Sequence, residues 1–166
     1  MNAVHLRPAT GEDLGLLVDM LVDAFNWSGD TRFTRDEILA DAHTARYLAG
    51  WPRVGDFGLV AIAGGAPVGA IWARALTGDL PGYGYVADDI PELGMAVSPA
   101  HRGHGIGSLL LEGCIEVAED LGCRALSLSV EDGNSVARRL YERNGFVAVG
   151  REGGSDVMLL ELPRVE

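Results

Sequence analysis

The stretch 90–130 constrains the fold more than any other part of the chain. An apolar run over 90–98 is ended by Pro99, and a glycine-rich turn follows, Arg102-Gly103-His104-Gly105-Ile106-Gly107. Residues 105–121 then carry Ile106, Leu109, Leu110, Cys114, Val117 and Leu121 on one helical stripe. A second strand-like run fills 124–130. Strand, helix and strand in this order predict a right-handed crossover between parallel strands. Parallel strands are covered on both faces, so helices must lie on the sheet.

The flanks fit around this unit. Val4-His5-Leu6-Arg7 alternates as a short strand, and residues 12–25 place Leu14, Leu17, Val18, Leu21 and Val22 at helical spacing. Thr34 and Glu37 make a capping-box pattern that opens a helix predicted over 34–51. Two runs rich in Val, Ile and aromatics, 57–63 and 67–76, are joined by Gly64-Gly65 and read as a β-hairpin. Residues 77–89 lack periodicity and hold Gly78, Pro81, Gly82 and Gly84 beside Tyr83 and Tyr85, the signature of a long surface loop. Beyond the crossover, 134–144 reads as a helix ended by Gly145, and 146–151 with 157–162 as a closing antiparallel pair. With 166 residues, 48% hydrophobic and only 7 prolines, the chain is expected to form one domain, 1–166, with a mixed α/β (α+β) sheet.

Charge narrows the partners. Against 24 acidic residues stand 13 basic ones, all Arg, for a net charge of -11. Such a field repels phosphate backbones and anionic lipid, so neither nucleic acid nor membrane is expected as a partner. The first ten residues carry His5, Arg7 and Pro8 and no long apolar run, which predicts a cytoplasmic protein. Cys114 and Cys123 form neither a C-x-x-C pair nor part of a His cluster, so they read as buried free thiols and no metal site is expected.

The glycine-rich turn carries the first chemical signal. Placed after a strand and opening a helix, its free backbone N–H groups and the positive helix end suit a pyrophosphate. It lacks the Gly-Lys-Ser/Thr ending of a P-loop and the G-x-G-x-x-G spacing of a dinucleotide fold. Such turns also serve as plain strand-to-helix connections, so the turn alone does not assign a ligand.

A second motif follows at the right distance. The segment Asn134-Ser135-Val136-Ala137-Arg138-Arg139-Leu140-Tyr141-Glu142-Arg143-Asn144-Gly145-Phe146 matches N-x-x-A-x-x-L-Y-x-x-x-G-F, while Arg102, Gly105 and Gly107 match R/Q-x-x-G-x-G/A behind the strand Glu92-Leu93-Gly94-Met95-Ala96-Val97-Ser98-Pro99. Together these resemble the two signatures of the GNAT superfamily of acyl-CoA-dependent N-acyltransferases, over roughly residues 57–162. The resemblance implies a mixed, mostly antiparallel sheet with helices on both faces and a splayed parallel strand pair that binds CoA. Acetyl-CoA is then the cosubstrate, with no metal. Pantetheine is expected beside Met95, Ala96 and Val97, and the pyrophosphate on Arg102, Gly103, His104, Gly105, Ile106, Gly107 and Ser108. Asn134 is expected to contact the cofactor, and is equally an ordinary N-cap.

Two residues follow from the resemblance as proton carriers. Tyr141 is the expected general acid toward the departing thiolate. Because an alkylamine is protonated near neutrality, a base is also needed, and Glu92 at the head of its strand is the candidate. Asn26, Trp27, Trp51, Trp72 and the Tyr83 to Tyr85 loop are candidate walls for the acceptor, with core packing the expected role of Trp72. The expected reaction is direct transfer of acetyl to a primary amine, on a small molecule or amino acid, by a monomer or homodimer. A protein or peptide acceptor, and a CoA-binding sensor without catalysis, are the alternatives.

Overall fold

The computed structural model describes residues 3–163; residues 1–2 and 164–166 of the expected domain lie outside the described residues. Its strands are β1 (Val4–Pro8), β2 (Phe57–Ala63), β3 (Ala66–Arg74), β4 (Glu92–Val97), β5 (Ala125–Glu131), β6 (Val147–Glu152) and β7 (Ser155–Glu161). Its helices are α1 (Leu14–Phe25), α2 (Arg35–Ala40), α3 (Ala42–Ala45), α4 (Ile106–Asp120) and α5 (Ser135–Arg143). One seven-stranded sheet runs β1-β2-β3-β4-β5-β7-β6, antiparallel at every seam except β4 against β5. The expected mixed sheet and the crossover through α4 are both present.

Two apolar layers sandwich this sheet. Leu17, Val18 and Leu21 of α1 pack with Ile38, Tyr47, Leu48, Trp51, Ala70 and Trp72 on one face. On the other, Ile106, Leu110, Leu111 and Cys114 of α4 pack with Leu93, Leu126, Leu128, Leu140, Tyr141 and Phe146. Strand alternation sorts β4 between them: Leu93 and Met95 face α4, whereas Ala96 faces α1.

Local chemistry sets the ends of the elements. Gly64 and Gly65, at φ 59 and 79, turn the β2–β3 hairpin. Asp13 accepts from the Thr10 backbone N–H at 2.7 Å and from both Arg7 guanidinium nitrogens at 2.8 Å, tying β1 to the start of α1. The Thr34–Glu37 capping box is present as the sequence predicts.

The single helix predicted over 34–51 is corrected. It breaks at Asp41, whose backbone is extended (φ -98, ψ 119) and whose carboxylate accepts from His43 N–H at 2.9 Å to cap a new turn. Thr44 Oγ1 donates to the Ile38 carbonyl at 2.5 Å, across the break. Asp and Thr here offer the backbone side-chain partners that compete with a continuous helix. The redirected chain delivers Arg46 and Tyr47 to the sheet.

Candidate active site

The parallel seam is open. Strands β4 and β5 pair at one position, Glu92 opposite Ser127, with the Ser127 N–H donating to the Pro91 carbonyl at 3.0 Å. Beyond it the strands part. On the other side β4 is fully paired with β3, and the Ser98 N–H donating to Val68 O at 2.8 Å fixes which residues bond that way. By the alternation of an antiparallel ladder, Ala96 points its backbone at β3, and Met95 and Val97 point theirs into the gap. Of the three residues expected along the cofactor, Met95 and Val97 therefore present free N–H groups and Ala96 does not.

The glycine-rich turn lies at the far end of this gap. Gly103 and Gly105 adopt φ 80 and 81, a left-handed backbone that a side chain would strain. Gly105 is the N-cap of α4 and brings no side chain to cap it. Among the described residues, the N–H groups of residues 103–108 make no hydrogen bond, so six successive donors point away from the protein's own acceptors. Arg102 is anchored through Nε to the Val97 carbonyl at 3.1 Å, while His104 stays exposed. The buried Nδ1 of His101 has no partner among the described residues.

Gly107 has a different reason to be glycine than the loop itself. It sits inside α4, where an added Cβ would lie 3.3 Å from Leu140 Cδ2 and 3.8 Å from Met95 Cε. Its smallness lets α5 approach α4 and β4. Asn134 caps α5, its Oδ1 accepting from Ala137 N–H at 3.4 Å.

Tyr141 is buried on α5, its ring edge-on to Phe146 at 5.9 Å. Its hydroxyl has no hydrogen-bond partner among the described residues. Burial pushes its pKa up to about 12, so the hydroxyl keeps its proton at neutral pH.

Glu92 lies on the opposite face of the sheet and is 2% exposed, not a solvated strand end. Its Oε1 accepts from the Tyr47 hydroxyl and from the Gly84 N–H, both at 2.8 Å, and the Tyr83 N–H donates to the Tyr47 oxygen at 2.8 Å. Oε2 is buried with no partner among the described residues. It faces Gly82, where any Cβ would come within 1.8 Å. Burial raises the carboxyl above the ordinary range, opposed by the Tyr47 and Gly84 hydrogen bonds and the charge of Arg46. The upward shift and the bare Oε2 leave this carboxyl with unused proton-accepting capacity beneath the loop that carries Gly82.

The loop 77–89 thus closes over Glu92, and Gly84 rests directly on the β5 backbone at Leu128. Phe25, Phe33, Tyr47 and Tyr83 form a ring cluster beside it, with centroids 5.8 to 6.5 Å apart for the contacting pairs. Outside the loop opens a cleft of about 560 Å³ lined by His43, Arg46, Tyr83, Tyr85, Arg151 and Glu152, among others.

The other aromatic candidates do structural work. Trp72 is fully buried, as the sequence predicts, and Trp51 Nε1 donates to the Thr10 carbonyl at 3.1 Å. Asn26 holds the turn after α1 through Phe33 O, Phe33 N–H and Arg32 N–H, and Trp27 Nε1 donates to Glu131 at 2.5 Å. Tyr47 and Arg46 escaped the sequence reading because each reaches the site only through the break at Asp41. Cys114 is buried and its thiol is pushed up to about 12 by burial, so it is no nucleophile; Cys123 is half-buried. No group of His, Cys, Asp and Glu that could hold a metal, and no helix long and apolar enough to cross a membrane, is found among the described residues.

Known proteins resemble this chain in sequence and fold. Mycothiol acetyltransferase of Propionibacterium freudenreichii subsp. shermanii is 35% identical over 97 residues, covering 53% of this chain and 30% of that protein. The chain spans less than two thirds of the length of the curated relatives it matches. Ribosomal-protein-alanine N-acetyltransferase from Brucella melitensis superposes with a TM-score of 0.69 at 25% identity, over 95% of this chain and 99% of that one. PaiA N-acetyltransferase from Thermoplasma acidophilum, solved in complex with coenzyme A, gives 0.68 at 18% identity, over 96% and 99%. The profile of the Acetyltransferase (GNAT) family matches residues 19–146, and the chain belongs to that family.

Proposed function

We propose that this chain is an N-acetyltransferase that moves an acetyl group from acetyl-CoA to a primary amine by direct attack, on a small molecule or amino acid. The observation that carries the reading is the open β4–β5 seam, with Glu92 on one face of the sheet, Tyr141 on the other, and six free N–H groups at its end. Acetyl-CoA supplies the activated acetyl thioester. The N–H groups of residues 103–108 suit its pyrophosphate, as do the gap-facing groups of Met95 and Val97 its pantetheine arm, in the manner of an added strand.

The chain's own groups divide the remaining work. A Met95 N–H aimed at the acetyl oxygen stabilises charge developing there, a contribution of about 3 to 4 kcal/mol for one well-placed donor. Glu92 takes the proton of the attacking amine, directly or through a water. Tyr141, protonated at neutral pH, gives its proton to the sulfur as the thiolate departs. Base and acid lie on opposite faces, so amine and CoA approach the thioester carbon, which sits in the seam, from separate sides of the sheet. With Cys114 inert, no covalent acetyl-enzyme step is required.

Two measurements test this reading. A panel of polyamines, amino acids, aminoglycosides and peptides is assayed for acetyl-CoA-dependent thiol release, with turnover expected for at least one amine class. In parallel, CoA at a hundred times its Kd adds about 2.7 kcal/mol of stability. For a domain of this size that is a Tm rise of roughly 5–10 °C. An unchanged Tm at millimolar acetyl-CoA overturns the assignment.

A further inference from the structure

In a chain that carries -11 overall, one buried cation has no acid in contact with it among the described residues. Arg46 is 6% exposed, yet among the described residues it forms no salt bridge. The other buried arginine, Arg74, is fully compensated: it pairs with Asp56 at 2.6 Å and donates to the Arg46 and Ala49 carbonyls at 2.9 and 2.7 Å. Glu92 feels the charge of Arg46 but makes no hydrogen bond to it, and burying a guanidinium with its donors unpaired is costly unless surrounding structure or a ligand repays that cost.

What Arg46 does have is a support. Its guanidinium lies 5.4 Å from the Tyr47 ring centroid and 4.8 Å from that of Tyr83, and Nη1 donates to His43 Nδ1 at 3.3 Å. Nε is buried and unpartnered, and Nη2 has no partner among the described residues. Arg74 clamps the backbone that carries it, so the fork is held before any ligand arrives. It lines the 560 Å³ cleft outside the loop that covers Glu92.

We propose that Arg46 is a specificity residue that binds a carboxylate on the acceptor, so that the preferred substrates are amines bearing a free carboxylate, of the amino-acid class. This deepens the acetyltransferase reading and rests on it. The arrangement places the anion site and the base at the two ends of one side chain: the guanidinium stacks on the Tyr47 ring and the Tyr47 hydroxyl holds Glu92. A singly charged carboxylate matches the cleft better than a phosphate. Arg151, the other cleft cation, is already engaged by Asp132 and Asp156, and Glu152 adds negative charge to the same lining. One free guanidinium balances one negative charge and offers a planar, two-toothed contact.

The test compares acceptors that differ only in the anion. Amino acids and their C-terminal amides are assayed for acetylation by the wild type, by Arg46→Met, which keeps the stacked bulk, and by Arg46→Lys, which keeps the charge without the fork. The wild type is expected to favour the free acid by about ten- to a hundredfold in kcat/KM. Arg46→Met removes the acid-to-amide preference, chiefly through KM, with Arg46→Lys between them; because Arg46→Met also withdraws a charge that Glu92 feels, the ratio of acid to amide, and not the amide rate, is the readout. The Tm rise with CoA, retained in both variants, shows that the fold and the cofactor side are intact. Binding of N-acetyl amino acids against N-acetyl amino acid amides, followed by titration in the presence of CoA, gives a readout without turnover. Carboxylate-dependent binding that vanishes in Arg46→Met upholds the proposal even where no amine is acetylated, an outcome that instead overturns the catalytic reading. Equal use and equal binding of acid and amide by the wild type overturn the role of Arg46 while leaving the transferase intact.

Discussion

The two sides of the β4 strand solve the problem of recognition with different material. Toward α4 the site is backbone: left-handed glycines, six N–H groups with no partner among the described residues, and a strand edge that parts from its neighbour. Toward α2 and α3 it is side chain: Glu92, Tyr47, Tyr83 and Arg46, drawn from three separate segments and held by one another. Backbone donors tolerate many neighbouring sequences, because any residue supplies an N–H. A side-chain chamber changes its ligand with a single substitution. On the proposed function, the backbone half serves the common cosubstrate and the side-chain half the acceptor.

Breaking the backbone half is expected to have the largest effect. Gly105→Val forces a β-branched residue into a left-handed backbone at φ 81 and shifts the first turn of α4. We expect CoA affinity to fall by at least about a hundredfold, with the fold destabilised by about 1–2 kcal/mol. Calorimetric titration with CoA checks it, and unaltered affinity contradicts the phosphate role of the loop.

Next is the side-chain half. Glu92→Gln should lower kcat/KM by about a hundredfold or more at neutral pH. The wild-type rate should climb with pH as the carboxyl ionises, along a limb above the usual carboxylate range, and the variant should lose that limb. Stability moves the other way. Because burial raises the Glu92 pKa from its ordinary 4.5, protonated Glu92 stabilises the fold fully below that value, and the contribution is lost as pH rises through the raised one. Glu92→Gln suffers no such loss, so its Tm should gain on the wild type as pH increases above 4.5. A pH-independent Tm difference would refute the buried, titrating carboxyl.

Tyr141→Phe tests the acid across the sheet. It keeps the ring against Phe146 and removes only the hydroxyl. A thiol leaves with a pKa of about 8.5 and needs only modest help. A fall in kcat of roughly ten to a few hundred times, with acetyl-CoA affinity little changed, marks a lost transition-state contact. Turnover within twofold of wild type assigns Tyr141 to packing.

The smallest effect is expected at Gly107. Its Cβ position meets only the side-chain tips of Leu140 and Met95, and alanine recovers helix propensity of about 1 kcal/mol, so Gly107→Ala should stay within about 1 kcal/mol of wild type and within a few-fold in CoA affinity. A hundredfold loss of CoA binding would move Gly107 from helix packing to the phosphate contact that its place in the motif implies.

These two kinds of material also explain what could be read in advance. Arg102, Gly105, Gly107, Asn134 and Tyr141 lie in short runs whose spacing along the chain mirrors their spacing on a turn or helix, so the crossover and its loop were legible residue by residue. Glu92 was legible as a strand-head acid, but its burial was not, since that depends on loop 77–89 folding back over it. Arg46 and Tyr47 carried no local signal at all. Their placement follows from the break at Asp41, where two side-chain to backbone bonds outweigh a helical pattern that the sequence displays clearly.

The single rung between Glu92 and Ser127 has a consequence for how the molecule assembles and breathes. Strands β1 to β4 form one antiparallel unit and β5, β7 and β6 another, each joined inside by ladders and to the other by that rung, the α4 crossover and the packed apolar layers. The β2–β3 and β6–β7 hairpins join residues close in sequence, and such contacts form early; the parallel junction of Glu92 with Ser127 must wait for α4 to close the crossover. In the free protein the gap-facing amides of Met95 and Val97 should therefore exchange with solvent deuterium quickly, while Ala96, one residue between them, is protected by β3. Filling the seam would slow the two and leave the third unchanged, an odd-even signature along one short strand.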